Sequence, residues 1–292
     1  MSKKKQSHNY QLNCKALIFS ILVSIFLVLL KAYGWFATDS VSFLSSLLDS
    51  SLDVLISVLN ILAVIYAARP ADRDHKFGHN SIEDIVGLVQ ASFIAASGLF
   101  LFYEAASRFN NPQIIQEAEI GIKIILLSML ATLAIIIIQT IIAKKTKSLI
   151  LKADLLHYST DFVVNGSIIV SLYFASKTDY AFSDPLMACF IGCYILSAAF
   201  KIGFRAFDNL MDKELPLVFT EKIIKLIEEE KNIIDYHKLK TRRSGSKKFV
   251  QLHIEMSANL NLKEAHDVAD NLEKKIEALA DNAEVIIHID PA

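Results

Sequence analysis

The sequence predicts a membrane α-helical protein, with six transmembrane helices followed by a small cytoplasmic α+β domain of order αββαβ. Three observations predict it. The 292 residues are 53% hydrophobic, with a mean hydropathy of +0.40, ordinary for a helical membrane protein and high for a soluble one. Six apolar runs reach the ~20 residues that span a bilayer. After about Met211 the apolar runs give way to short amphipathic segments rich in Glu and Lys. Residues 1–211 are therefore expected to form the membrane domain and 212–292 the cytoplasmic domain.

The expected spans are about 16–37, 41–67, 83–106, 119–143, 153–175 and 184–207. The opening MSKKKQSHNYQLN runs into the first span with no small-residue cleavage site, so that run reads as a retained span and not as a removed signal. Spans two, three and five carry polar residues, which dilutes their hydropathy. Asp184-Pro185 reads as an N-cap with proline in the first turn, opening span six. Loop charge sets the orientation. Lys3, Lys4, Lys5 and Lys15 lie at the N-terminus, Arg69, Arg73 and Lys76 in the second loop, and Lys144, Lys145, Lys147 and Lys152 in the fourth. The first, third and fifth loops offer only Arg108 and Lys177. The basic excess puts the even loops and both termini in the cytoplasm.

In the C-terminal region, 217–231 reads as a helix with Ile223, Ile224, Leu226 and Ile227 as its apolar residues. Strand-like runs follow at about 236–243 and 248–257, joined by Ser244-Gly245-Ser246, a hairpin signal. A second amphipathic helix covers about 262–280, and Val285 to Asp290 closes as a strand. This order gives a small sheet with helices on one face. No solenoid repeat or low-complexity tract interrupts it. A net charge of -1 provides no field that would draw nucleic acid. Cys14, Cys189 and Cys193 form no paired framework, and Cys189 and Cys193, four apart, read as small apolar packing residues in preference to a metal or redox pair.

Chemistry concentrates in two spans. Asp49 and Asp53 lie four apart within an otherwise uncharged run, so a helix places both carboxylates on one face. Two such charges in a low-dielectric setting need a proton, a metal ion or a basic side chain between them. Span five repeats the spacing with His157 and Asp161. Lys31 and Lys123 fall near span ends, where they can snorkel away. Two matched pairs with no basic residue deep in the membrane therefore point to a divalent cation such as zinc, or to protons. No HExxH and no nucleophile motif supports an intramembrane hydrolase. A metal sensor merely anchored by its helices would leave these carboxylates without a purpose.

Histidines mark two further places. Asp72, His75 and His79 in the second loop are able to close around one cation, although an ordinary solvated loop has the same composition. In the cytoplasmic domain, Val250, Leu252, Ile254 and Met256 form one face of a strand, so His253 points the other way. By the same parity His288 and Asp290 oppose Val285, Ile287 and Ile289. With His237 and His266, these ligands are expected to gather on the open side of the sheet, a natural place for metal between two subunits.

The stretches LLDSSLD, RPADRDHKFGH, KADLLHYSTD, KTRRSGSKKFVQLHIEM, EAHDVAD and VIIHIDP, in this order, resemble the cation diffusion facilitator family and within it the bacterial ferrous-iron and zinc efflux branch. The resemblance runs from about residue 12 to the end. It implies a homodimeric exporter of the bacterial inner membrane, a secondary transporter and not an enzyme. Such a protein exchanges a divalent cation (Zn²⁺, with Cd²⁺ or Fe²⁺ as alternatives) for protons by alternating access. It implies a ferredoxin-like, metallochaperone-like cytoplasmic domain. Asp49, Asp53, His157 and Asp161 match the family's transport site, and Asp72, His75 and His79 its loop site. His237, His253, His266, His288 and Asp290 match its binuclear cytoplasmic site, where zinc helps hold the dimer, and Leu156 matches part of a hydrophobic gate. Two positions depart from the pattern. Ser81 stands where related chains carry a lysine that pairs with an acid matching Asp212, and Ile289 replaces a polar residue near the second cytoplasmic ion.

Overall fold

Long apolar runs close all their backbone hydrogen bonds internally only as helices, and the first two-thirds of the chain does so. The computed structural model describes residues 2–38, 41–110, 119–175, 183–280 and 282–292. Its six long helices are α1 (Ser2–Thr38), α2 (Val41–Ala67), α3 (Ile82–Asn110), α4 (Glu119–Thr146), α5 (Leu149–Ala175) and α6 (Ser183–Leu210). Each covers an expected span and extends beyond most of them by a few residues. Lys177 lies outside the described residues, as do the side chains of Arg108, Asp184 and Pro185, while the helix itself starts at Ser183, one residue before the expected Asp184 cap. Among the described residues, five stretches are long and apolar enough to cross a membrane: His8–Phe36, Ser46–Ala67, Ile82–Phe100, Lys123–Thr146 and Cys189–Leu210. The expected sixth, α5, is not among them, because Lys152, Asp154, His157 and Asp161 crowd its first half.

α3 packs along α6, and α1 along α2 and α4; α4 packs on α5, which also reaches α3 and α6. Leu17, Ala63, Val64, Ile150 and Leu151 bury one apolar cluster, and Ile94, Ile191, Ile195 and Ala199 another. Many of the outward side chains are large and apolar, such as Leu22, Leu55, Phe93, Leu130 and Phe200, as a lipid-facing surface requires.

After α6 come α7 (Leu217–Glu228), β1 (Asp235–Ser244), β2 (Lys247–Met256), α8 (Leu262–Ala278) and β3 (Ala283–Pro291). The sheet order is β1-β2-β3, with β1 antiparallel to β2 and β3 parallel to it. The parallel pair needs a crossover, which α8 supplies. Asn261 caps α8, accepting from the Glu264 N–H at 2.9 Å while the Glu264 carboxylate accepts from the Asn261 N–H, a reciprocal cap that fixes where the helix starts. Ile223 and Ile227 of α7, with Ala265, Ala269, Leu272 and Ile276 of α8, cover Val250, Leu252, Ile254, Met256 and Val285. Both helices thus occupy the apolar face of the sheet and leave its other face open.

Candidate metal centre

α2 and α5 run antiparallel, joined by three rungs of hydrogen bonds. Asn60 Nδ2 donates to Asp154 Oδ1 at 2.8 Å. The Tyr158 hydroxyl lies 2.8 Å from Ser57 Oγ and 2.7 Å from Ser24 Oγ of α1. His157 Nε2 lies 2.9 Å from Asp53 Oδ1. Gln139 of α4 reaches the first rung, its Nε2 donating to Asp154 Oδ2 and also to Ser20 Oγ at 2.7 Å. Asp154, Asn60, Gln139 and Ser20 are fully buried. Four helices are therefore held in register by polar groups that have no water to turn to.

The ligand-type side chains lie at one end of this ladder. His157 Nε2 is 2.9 Å from Asp53 Oδ1 and 3.7 Å from Asp161 Oδ2. One ligand atom from each of the three residues falls within 4.8 Å of the others. A tetrahedral ion with bonds of ~2.0–2.1 Å separates its ligands by roughly 3.3 Å, between the two observed distances. Asp161 Oδ2 is buried with no hydrogen-bond partner among the described residues, an acceptor in want of a cation. Asp49, one turn further along α2, is exposed and stands outside that group of three. Leu156 packs beside the site against the Ile191 and Ile195 cluster.

Lys31 does not snorkel away as its position near a span end implies. Its Nζ donates to Ser50 Oγ at 2.7 Å and to Ser46 O at 3.3 Å, both on α2. Its charge acts on Asp49, Asp53 and Asp161. The ammonium turns inward because that is where the carboxylates are, and it supplies part of the neutralisation.

The second loop forms a compact knot. Asp72 Oδ1 accepts from the backbone N–H of His75 at 2.7 Å and of Asp74 at 3.0 Å, and these bonds hold its carboxyl below the usual range. Asp72 also lies 3.3 Å from His75 Nδ1 and 3.2 Å from His79 Nε2. His79 is buried edge-on against Tyr66, with ring centroids 4.7 Å apart. Gly78, at φ 90°, makes the turn that brings His79 back onto Asp72.

On the open face of the sheet, strand register sets His237 beside His253 and His253 beside His288. His253 Nδ1 is 2.8 Å from Asp290 Oδ2, which is 3.3 Å from His237 Nε2, and His288 Nε2 is 3.2 Å from Asp290 Oδ1. The contact with His253 leads in holding the Asp290 carboxyl below its usual range. Glu255, opposite Asp290 in register, joins at 3.3 Å from His237 Nδ1. The sequence reading missed it, although its parity with His253 marks the same face. His266 stays exposed on α8, which lies on the apolar face, so it is not brought into the row.

Asp154, Asn60 and Gln139 were likewise not anticipated. The signal for two of them was there. Asp49, Asp53, Ser57 and Asn60 form one polar stripe along α2, and Asp154, His157 and Asp161 one along α5.

Residues 17–211 match the family model described as the cation efflux transmembrane domain, and 215–292 match that of the cation efflux protein cytoplasmic domain. The chain belongs to the cation efflux family. This cation diffusion facilitator is 38% identical to the cation-efflux pump FieF of Klebsiella pneumoniae subsp. pneumoniae over 278 residues, covering 95% of this chain and 92% of that one. It is also 38% identical over 284 residues to FieF of Pectobacterium atrosepticum, covering 97% of this chain and 94% of that one. Among solved structures, the metal-bound C-terminal domain of the CzcD transporter from Thermotoga maritima is 29% identical, covers 26% of this chain and 88% of that one, and superposes with a TM-score of 0.25. The protein is a multi-pass membrane transporter of divalent metal cations, with a cytoplasmic domain of the dimerising type.

Proposed function

We propose that this cation diffusion facilitator exports Zn²⁺, and with it Cd²⁺ or Fe²⁺, across the bacterial inner membrane in exchange for protons. It works as a homodimer by alternating access. The observation that carries the reading is His157 Nε2 lying between Asp53 and Asp161 on two facing helices. Asp49, at the next position of the same stripe, closes the set when α2 turns slightly. One imidazole and three carboxylates suit a borderline ion such as zinc. The metal and a proton compete for the same Nε2 lone pair, so the site that takes metal when deprotonated releases it on protonation. Exchange for protons follows from that competition.

In this reading α5 also crosses the membrane and brings the spans to six, tolerable in lipid because its polar groups face α2 and α4. The membrane domain is 1–211 and the ferredoxin-like cytoplasmic domain 212–292, with both termini in the cytoplasm. Asp72, His75 and His79 form a loop site where metal enters. His237, His253, His266, His288 and Asp290 hold two structural ions, His266 joining when the dimer forms.

Zinc flux into proteoliposomes under an imposed pH gradient tests the proposal. Asp53→Ala and Asp161→Ala are expected to abolish flux, and unchanged flux in either removes the assignment. For the cytoplasmic site, chelator is expected to weaken the full-length dimer in sedimentation. An unchanged profile would end that part of the reading.

A further inference from the structure

Where the helices meet the cytoplasmic domain, the fold leaves a cavity of about 580 Å³, the size of a small-molecule site. Lys145, Lys147, Arg205, Arg243 and Lys248 line it, against Glu83 as the one carboxylate of its lining. These cations come from the α4–α5 turn, from α6 and from the β1–β2 hairpin, so three remote parts of the chain converge there. Among the described residues, Lys145, Lys147, Arg205 and Arg243 make no ion pair. The nearby Asp84 forms no ion pair with them among the described residues, since Oδ1 accepts from Asn209 Nδ2 at 2.8 Å and Oδ2 from the Gly245 N–H at 2.7 Å, and its charge offsets only part of theirs. Burial, and then the charge of Arg205, push the Arg243 guanidinium down, against the opposing pull of Asp84 and Glu83.

The backbone adds to the field. The α4–α5 turn that precedes the N-terminus of α5 borders the cavity at Thr146, Lys147 and Ser148, and the start of α7 borders it at Leu215, Pro216 and Phe219. Pro216 gives α7 no side-chain cap. The start of α7, which has no such cap, carries the positive end of its dipole and N–H groups suited to an anion. One amide donor on the wall, the buried Asn282 Nδ2, is unpartnered among the described residues.

We propose that this cavity is a binding site for a phosphate-bearing anion, either the headgroup of an anionic phospholipid or a soluble phosphate, which joins the membrane helices to the cytoplasmic domain. Basic pockets between helix ends on the cytoplasmic side recognise such headgroups through the same chemistry. Arg205 and Arg243 are the guanidinium groups of the lining, and Arg243 keeps its two terminal nitrogens for an anion because its Nε donates to the Gly245 carbonyl at 2.6 Å.

The test uses the full-length protein. Native mass spectrometry after purification from phosphatidylcholine–phosphatidylglycerol nanodiscs reads retained phospholipid, and thermal unfolding in inorganic phosphate against chloride at equal ionic strength reads the soluble source. The wild-type chain is expected to retain phosphatidylglycerol over phosphatidylcholine, or to gain thermal stability in phosphate. The first result assigns the headgroup and the second the soluble anion. Arg205→Gln with Arg243→Gln is expected to weaken binding roughly 25-fold, at about fivefold per cation removed. Should that pair not fold, Lys145→Gln with Lys147→Gln on the exposed turn is expected to do the same. Neither anion binding to the wild-type chain, or binding unchanged in the folded variant, overturns the proposal.

Discussion

Asp84, at the start of α3, accepts a 2.7 Å hydrogen bond from the backbone N–H of Gly245 in the β1–β2 turn, fastening the cytoplasmic domain to the membrane helices. Around it, Ser81 Oγ lies 2.8 Å from Ser244 Oγ, and Phe77 meets Phe249 edge-on at 5.7 Å. Asp212, whose expected partner would be a lysine at the position of Ser81, pairs instead with Arg242 at 3.0 Å. The clasp is thus built from a neutral serine pair and a buried carboxylate. Gly245 is required there twice over. Its φ is +53°, and a Cβ would lie 2.4 Å from the carbonyl oxygen of Asn80. Gly245→Ala is expected to cost about 1–3 kcal/mol, lowering the melting temperature of the full-length protein and raising hydrogen exchange at 80–84. Ser246→Ala, one residue on and exposed, is expected to leave both unchanged.

His157 provides the nitrogen ligand of the candidate transport site. Replacing it by a carboxylate makes the ligand set all oxygen, which favours harder ions such as Mn²⁺ over Zn²⁺ and Cd²⁺. His157→Asp is expected to lower the ratio of zinc to manganese flux in proteoliposomes roughly tenfold or more. A ratio that does not move would mean that Nε2 does not meet the ion.

The parts of this architecture that repeat with a short period were legible in the sequence. Alternation put His253, His288 and Asp290 on one face of the sheet, and spacing by four paired Asp49 with Asp53 and His157 with Asp161. Contacts that depend on packing between distant segments were not. Nothing local indicates that Lys31 turns inward to Ser50, or that Gln139 of α4 meets Asp154. Glu255 was hidden for a different reason, because a glutamate at a strand end is unremarkable until register sets it opposite Asp290. In α5 the polar residues lower the apolarity of the helix while serving contacts with α2 and α4.

Asp154 carries the densest part of the α2–α5 ladder. Asp154→Ala leaves Asn60 Nδ2 without its acceptor and removes one of two from Gln139 Nε2. An orphaned buried donor costs about 1–3 kcal/mol, so the variant is expected to melt at a lower temperature. Removing the donors together with the acceptor, in the Asp154→Ala, Asn60→Ala and Gln139→Ala triple variant, is expected to recover part of that loss. Additive losses across the three would show that the network contributes no more than its separate contacts.

Asp290 sets the acid response of the cytoplasmic domain. Contacts with His253 first, and with His288 and His237, hold its folded carboxyl below the unfolded value of ~3.9. A group depressed on folding contributes stability that is complete above the unfolded value and is lost as pH falls through the folded one. In chelator-treated protein, the denaturation midpoints of the wild-type chain and Asp290→Asn are therefore expected to differ by a constant amount from pH 7 to pH 5. The difference should shrink below about pH 4. A gap that closes between pH 7 and pH 5 would mean that the carboxylate does not set the dependence. A gap that persists at pH 2 would mean that the aspartate acts through its shape alone.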